Sequence, residues 1–406
     1  PIGIQDFESI INGSYVYVDK TALVHQLVTE GKIYFLSRPR RFGKSLLVST
    51  LEAYFLGRKD LFKGLAIDEL ETEWVEHPVF HISFGGENFI ESGALESKIN
   101  ANLNKWEELY GKAPVAMTFG GRFLHTLQAA HQKTGKRAVV LIDEYDKPLL
   151  DVLDTGYSTT VDGKERLLEE HHRNILKGLY SVFKEADADL QFVLLTGVTK
   201  FSQVSVFSGF NQPADISMDP RYEALCGITE EELYSYFEKS IAEMAETYAY
   251  SIVEMKHELK RQYDGYHFGP KLIDIYNPFS LLNAFASKIM QDYWFRSGTP
   301  TYLIRLLNHT QENLNELTGR YYTPGQFIDY KADVEKPLPM IFQSGYLTIK
   351  DCNLRRNTYL LDFPNNEVKN GFVTMVASDY LKSRTDSGSW TLDVIDALEA
   401  GDLELF

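Results

Sequence analysis

The segment Arg38-Pro39-Arg40-Arg41-Phe42-Gly43-Lys44-Ser45 carries the clearest chemistry in the chain. A polyphosphate is held when backbone amides curl around it, a lysine reaches its outer oxygens and a hydroxyl helps hold a divalent cation. Gly43 permits the close backbone approach, Lys44 supplies a point charge and Ser45 the hydroxyl, while Arg38, Pro39, Arg40, Arg41 and Phe42 form the rest of the cradle. The first position of the G-x-x-x-x-G-K-[ST] pattern is Arg38 where glycine is usual.

A second group of residues belongs with this loop. The apolar run Ala138–Ile142 ends in Asp143-Glu144. A carboxylate at the end of a buried strand is costly unless it meets a cation, and Asp143 suits Mg²⁺ held through water. Glu144, next to it, can orient and deprotonate an attacking water. A further apolar run ends in Thr196-Gly197-Val198-Thr199, and Thr196 or Thr199 is the candidate to sense the terminal phosphate. Arg221 could neutralise transition-state charge, and Arg40 or Arg41 could do so instead. The ligands these residues call for are a nucleoside triphosphate and Mg²⁺, and no base-reading motif chooses between ATP and GTP.

The elements that must position them can be read from periodicity. Ile33–Ser37 is a short apolar, partly β-branched strand directly before the basic loop. Lys44–Phe55 follows as a helix, with Leu46, Leu47, Leu51 and Tyr54 at helical spacing. Val79–Phe84, Arg137–Ile142 and Leu190–Thr196 read as further strands, and 95–110, 119–132 and 165–184 as helices. Strands separated by long helices imply a parallel sheet covered on both faces. Residues 151–163 read as a polar, exposed, mobile loop, and His171-His172 as exposed positions on a charged helix. From Thr229 the pattern becomes helical: a capping box at Thr229 and Glu232 opens a helix over 230–246, followed by 255–263 and 278–290. After Thr323 short strands at 347–349 and 358–361 suggest a helix-plus-hairpin unit of winged-helix type, and 392–406 is helical in pattern.

The 406 residues are enough for two to four packed units at roughly 100–200 residues each. With 44% hydrophobic residues, the chain can bury a large core, which excludes wholesale disorder. The longest strongly apolar stretches fall far short of the roughly 20 residues a membrane-spanning helix needs. Forty-one basic against 57 acidic residues leave a net charge of −16, which opposes loose wrapping of nucleic acid while allowing a small basic site. Cys226 and Cys352 alone make neither a disulfide framework nor a four-cysteine zinc site, and a cytoplasmic setting is expected. The N-terminus shows no basic-then-apolar leader, and the chain opens at Pro1 with no initiator methionine, so a residue or tag is expected to have been removed.

Taken together these segments resemble the prokaryotic AAA-ATPase-like proteins, over nearly the whole chain. Ile2–Phe7, Tyr15–Lys20, the loop segment Phe35–Ser45, Leu141–Pro148 and Leu195–Ser202 carry the likeness in the first half. Tyr263–Phe268, Tyr276–Leu282, Trp294–Pro300, Phe342–Leu347 and Leu361–Val368 carry it in the second. The resemblance implies that Arg38 at the usual glycine position is a family trait. It implies a P-loop α/β fold with an additional strand in its parallel sheet over 1–224, a helical lid over 225–310 and, over 311–406, a winged-helix-like unit with the start of a C-terminal linker, with ATP and Mg²⁺ as ligands. The family often carries a PD-(D/E)XK nuclease-like domain, which would begin beyond Phe406, so either that domain has been trimmed or this member lacks it; a protein partner is a further expectation, and gating of a nuclease on nucleic acid is a rival reading.

Asp362 with Glu367-Val368-Lys369 imitates a nuclease D…E-x-K, but the spacing is too short and Asn365-Asn366 between them reads as a turn. His267, among aromatic neighbours, reads as structural or lid-associated, and Asp264-Gly265 as a turn. The function expected is ATP hydrolysis coupled to the C-terminal region or a partner, with a non-catalytic ATP switch or scaffold as the alternative.

Overall fold

The computed structural model describes residues 2–114, 117–201, 213–296, 301–309, 317–328 and 337–375. The strands are β1 (Ile33–Ser37), β2 (Val79–Ser83), β3 (Ala138–Asp143), β4 (Ser158–Val161), β5 (Lys164–Leu167), β6 (Leu190–Gly197), β7 (Ala214–Asp215), β8 (Ile228–Thr229), β9 (Ile275–Tyr276), β10 (Arg320–Tyr322), β11 (Thr348–Asn353) and β12 (Thr358–Asp362). Five of them form one parallel sheet in the order β2-β3-β6-β1-β7. β3 is buried at all six positions, which explains its unbroken apolar run: in a covered parallel sheet both faces need apolar side chains.

The strand order decides what can meet at the carboxyl end of the sheet. β6 lies between β1 and β3 and pairs with both, setting Leu36 opposite Thr196 and Ile142 opposite Leu195. The loop after β1 and Asp143 at the end of β3 therefore flank the end of β6, where Thr196 sits. The helix Lys44–Phe55 returns along the sheet, its Phe55 ring 5.1 Å from Phe192 of β6. The helices Ala94–Tyr110 and Phe119–Thr134 interlock through stacked Trp106 and Phe123 at 5.6 Å. Phe80 of β2 meets Trp106 at 5.0 Å, which seats this pair on the edge of the sheet.

Several expected elements differ. Residues 151–163 are not simply a loop: β4 and β5 form an antiparallel hairpin, and the long helix starts at Leu168. The turn is Asp162-Gly163, both at positive φ, and this pair is among the strongest hairpin signals a sequence offers. The alternating polar strands hid it, because neither face is buried. The expected helix over 230–246 is two helices, Glu230–Tyr236 and Glu238–Tyr248, divided at Phe237. The capping box of Thr229 and Glu232 is present. The helix from Pro278 ends at Ser287, where Lys288 turns into the left-handed region. Asn365 caps a helix in place of making a turn, its Oδ1 accepting from the Val368 amide ahead of Asn366–Met375. His172 is fully buried, bonded through Nδ1 to the Pro148 carbonyl, because it lies on the inward face of its helix. The segment 392–406 lies outside the described residues.

The helical segment after 228 has an apolar cluster of its own, including Leu233, Ile241, Met244, Leu259 and Leu281, and β8 pairs with β9 beside it. Further on, β10, β12 and β11 form an antiparallel three-stranded sheet. Phe327, Met340, Tyr346 and Phe372 from this region belong to the same continuous core as the parallel sheet. The described residues contain no helix long and apolar enough to cross a membrane.

Candidate functional site

The loop between β1 and the helix Lys44–Phe55 turns through two left-handed residues, Arg41 at φ 72° and Gly43 at φ 91°. At Gly43 a Cβ would meet open space, so glycine is favoured there by backbone conformation and not by crowding. That open space lies at the start of a twelve-residue helix. Lys44 is buried, and its Nζ donates to the Arg38 and Pro39 carbonyls, each at 2.9 Å. It makes no salt bridge among the described residues. Burial lowers its pKa, and the charges of Asp143, Glu144 and Asp146 oppose that shift. Ser45 is half-buried beside it.

Across the end of β6, Asp143 is buried and its Oδ1 accepts from the Thr196 hydroxyl at 2.6 Å and from the Glu144 amide at 3.1 Å. Glu144 follows in a left-handed conformation at φ 53°. A Cβ on Gly85, just past β2, would lie 3.2 Å from Glu144 Oε2, so the carboxylate rests over that glycine. A non-glycine residue at positive φ costs of order 1–3 kcal/mol and survives where its surroundings over-determine it. Here the strained position belongs to Glu144, directly after the buried Asp143.

The candidate residues separate into those brought together and those spent elsewhere. Lys44, Asp143, Glu144 and Thr196 share one end of the sheet. Thr199 does not join them: its hydroxyl faces Met340 Sδ at 3.6 Å and its carbonyl accepts from Tyr145. Arg221 is half-exposed and paired with Asp219 at 2.6 Å and Glu30 at 2.7 Å. Glu30 precedes β1, so Arg221 sits toward the end of that strand away from the loop. Arg38 is fully buried with its guanidinium turned from the cradle, donating to the carbonyls of Ser37, Ser217 and Tyr222 and lying 4.2 Å over the Phe268 ring. Burial lowers its pKa to about 10, which leaves it charged. The arginine at the usual glycine position thus ties the base of the loop to the 217–222 segment and to Phe268.

Arg40 and Arg41 are exposed, over the rings of Tyr302 (5.9 Å) and Phe279 (4.7 Å). Phe42 is buried between Tyr266 and Phe268, at 4.8 and 5.3 Å, and its carbonyl accepts from Gly227. Pro39 packs on Gly345, where a Cβ would lie 2.6 Å from its ring. The Trp294 indole donates to the Arg40 carbonyl at 3.2 Å. Nearly every residue of the loop is therefore in contact with the chain after residue 225.

Sequence reasoning missed Asp146. It is buried, and one carboxylate oxygen accepts from the amides of Val198 (2.9 Å) and Thr199 (2.6 Å). Burial raises its pKa to about 6. Its position before Lys147-Pro148 suggests a helix cap, yet the side chain makes no capping bond and crosses to β6 instead. His267 bonds Asp274 at 2.7 Å and the Ile349 carbonyl at 2.6 Å, a structural tie between the helical segment and β11. Glu367 of the apparent D…E-x-K lies on a helix, buried, and accepts from Ser280 and the Trp294 amide.

A P-loop at the carboxyl end of an α/β sheet, with a strand between it and an acidic strand end, defines the class of fold. A family model described as predicted AAA-ATPase matches residues 1–207, and the chain belongs to that family. An uncharacterized protein in the vnfD 5′ region of Azotobacter chroococcum mcd 1 is 38% identical over 99% of this chain and 74% of its own length. Among solved structures, the Aeropyrum pernix ORC1 protein in complex with DNA matches 88% of this chain and 92% of its own. Its TM-score of 0.29 and identity of 11% make that overlap too loose to carry an argument.

Proposed function

We propose that this chain binds ATP with Mg²⁺ in the loop after β1, hydrolyses it, and passes the nucleotide state to the elements after residue 225. The observation that carries this reading is Lys44. It is a buried ammonium bonded to neutral carbonyls of its own loop, beside open space at Gly43. Asp143, Glu144 and Asp146 act on this ammonium without forming an ion pair with it among the described residues, so an anion arriving in contact with it would offset the remaining cost of its burial. When a polyphosphate enters, Lys44 exchanges the Arg38 and Pro39 carbonyls for phosphate oxygens. Ser45 and Asp143 are the residues that would hold Mg²⁺, whose charge would neutralise the phosphates. Thr196, bonded to the Asp143 carboxylate whose charge acts on Lys44, is the stronger sensor candidate. Glu144, fixed over Gly85, orients and deprotonates the attacking water. Arg40 and Arg41, exposed on the loop, are better placed than Arg221 to meet developing charge.

The test is ATP binding and turnover by the purified protein with Mg²⁺, beside Lys44→Ala and Glu144→Gln. Lys44→Ala should weaken binding at least tenfold. Glu144→Gln should bind ATP as the unmodified protein does and turn it over roughly a hundredfold more slowly. Binding without turnover in the unmodified protein would reduce the role to a switch, and absence of binding would sink the proposal.

A further inference from the structure

Glu367 lies far from the loop in sequence and carries no chemistry in the reading above, yet two of its bonds lead back to the loop. It is 1% exposed, on the first turn of the helix Asn366–Met375, and forms no ion pair among the described residues. Its Oε1 accepts from the Ser280 hydroxyl at 2.9 Å and from the Trp294 amide at 2.6 Å. Trp294 is itself buried, its ring 5.1 Å from Tyr346, and its indole N–H reaches the Arg40 carbonyl. Ser280 follows Phe279, the ring beneath Arg41. One carboxyl oxygen thus joins the two segments that hold neighbouring residues of the loop.

We propose that Glu367 is a positioning residue for the phosphate loop, setting the places of Trp294 and Phe279 and through them the Arg40–Arg41 backbone. The inference rests on the nucleotide-loop reading for its functional meaning, but the contact it describes can be tested without nucleotide. Burial pushes the pKa of Glu367 up to about 8, with the nearby Asp292 adding to the rise. The group is therefore mostly protonated at neutral pH, and glutamine keeps both its shape and its acceptor oxygen. A lost buried hydrogen bond that only stabilised the fold would lower the melting temperature without singling out the loop.

The experiment compares the unmodified protein with Glu367→Ala, Glu367→Gln, Trp294→Phe and Leu127→Ala. The last removes a fully buried side chain from the helix Phe119–Thr134 and serves as a control for general destabilisation. Trypsin cleavage after Arg40 and Arg41 in the folded protein, identified by fragment mass, reads loop mobility. Affinity for a fluorescent ATP analogue reads loop function. Glu367→Ala and Trp294→Phe should be cut at these two sites several-fold faster than the control and should bind the analogue roughly five- to tenfold more weakly. Glu367→Gln should match the unmodified protein in both. If Glu367→Ala does not fold, Trp294→Phe carries the test, since phenylalanine keeps one ring for Tyr346 and loses the N–H donor together with the second ring. Cleavage at Arg40 and Arg41 no faster than in Leu127→Ala would overturn the proposal. Failure of the unmodified protein to bind the analogue would instead count against ATP binding, and the cleavage comparison would still decide the role of Glu367.

Discussion

At the scale of single residues, the end of the parallel sheet gathers charges whose energies depend on one another. Lys44 is buried with acids nearby, and Asp143 is held by Thr196. Glu367, pushed to about 8, makes a titration visible where ordinary carboxylates no longer change. Between roughly pH 4.5 and 8 it is protonated in the folded chain and ionised in the unfolded one, so the folded state binds more protons. Its stabilising contribution is complete below the unfolded pKa and is lost as pH rises toward 8, by at most about 1.4 kcal/mol per pH unit. Asp264, raised to about 7 by burial, acts in the same direction over a lower range. Denaturant unfolding at pH 6 and pH 8 should therefore show lower stability at pH 8, and Glu367→Gln should reduce the difference. An equal difference in the variant would mean that Glu367 is ionised in the folded protein.

At the scale of elements, the junction between β3 and β6 is built around a missing side chain. A Cβ on Gly197 would fall 2.6 Å from Asp146 Oδ1 and 2.7 Å from the Tyr145 ring, and both belong to the turn that follows Asp143. Asp146 in return holds the amides of Val198 and Thr199. Gly197→Ala should push this turn away from β6, lower stability by about 1–3 kcal/mol as overpacking does, and reduce ATP turnover at least tenfold. A variant that melts earlier but turns over ATP normally would show that the turn can shift without disturbing Glu144. The helix starting at Glu230 gives a simpler case. Thr229→Ala removes its capping box and should cost about 1 kcal/mol in denaturant unfolding, with little effect on nucleotide affinity.

At the scale of the whole molecule, the phosphate loop is a shared surface. Phe42 enters an aromatic pocket of Tyr266 and Phe268, Pro39 lies on Gly345, and the Arg40 carbonyl is held by Trp294. If the loop rearranges around phosphate, the neighbours that grip it should move with it. ATP·Mg²⁺ should accordingly change the limited-proteolysis pattern over 263–375. Phe42→Ala should cost about 3–5 kcal/mol as a large core truncation and should uncouple the pattern from nucleotide. A pattern indifferent to ATP in the unmodified protein would remove the coupling.

Local order was legible in the sequence wherever it rests on nearest neighbours. The strand Ile33–Ser37, the helix Lys44–Phe55 and the capping box at Thr229 follow from periodicity and side-chain chemistry over a few residues. So did the pairing of a basic Gly-Lys-Ser loop with an acidic strand end. The exposed hairpin of β4 and β5 escaped because its alternation marks no buried face, although Asp162-Gly163 announced the turn. What only the tertiary structure decided is which side chains reach the cradle. Arg38 faces Phe268, Thr199 faces Met340 and Arg221 joins Glu30, while Asp146 crosses to β6. Trp294 and Glu367, more than 250 residues from the loop, brace it from the far end of the chain. Composition and spacing carry no information about such partners, because the contacts are set by strand order and by the packing of distant segments into one core.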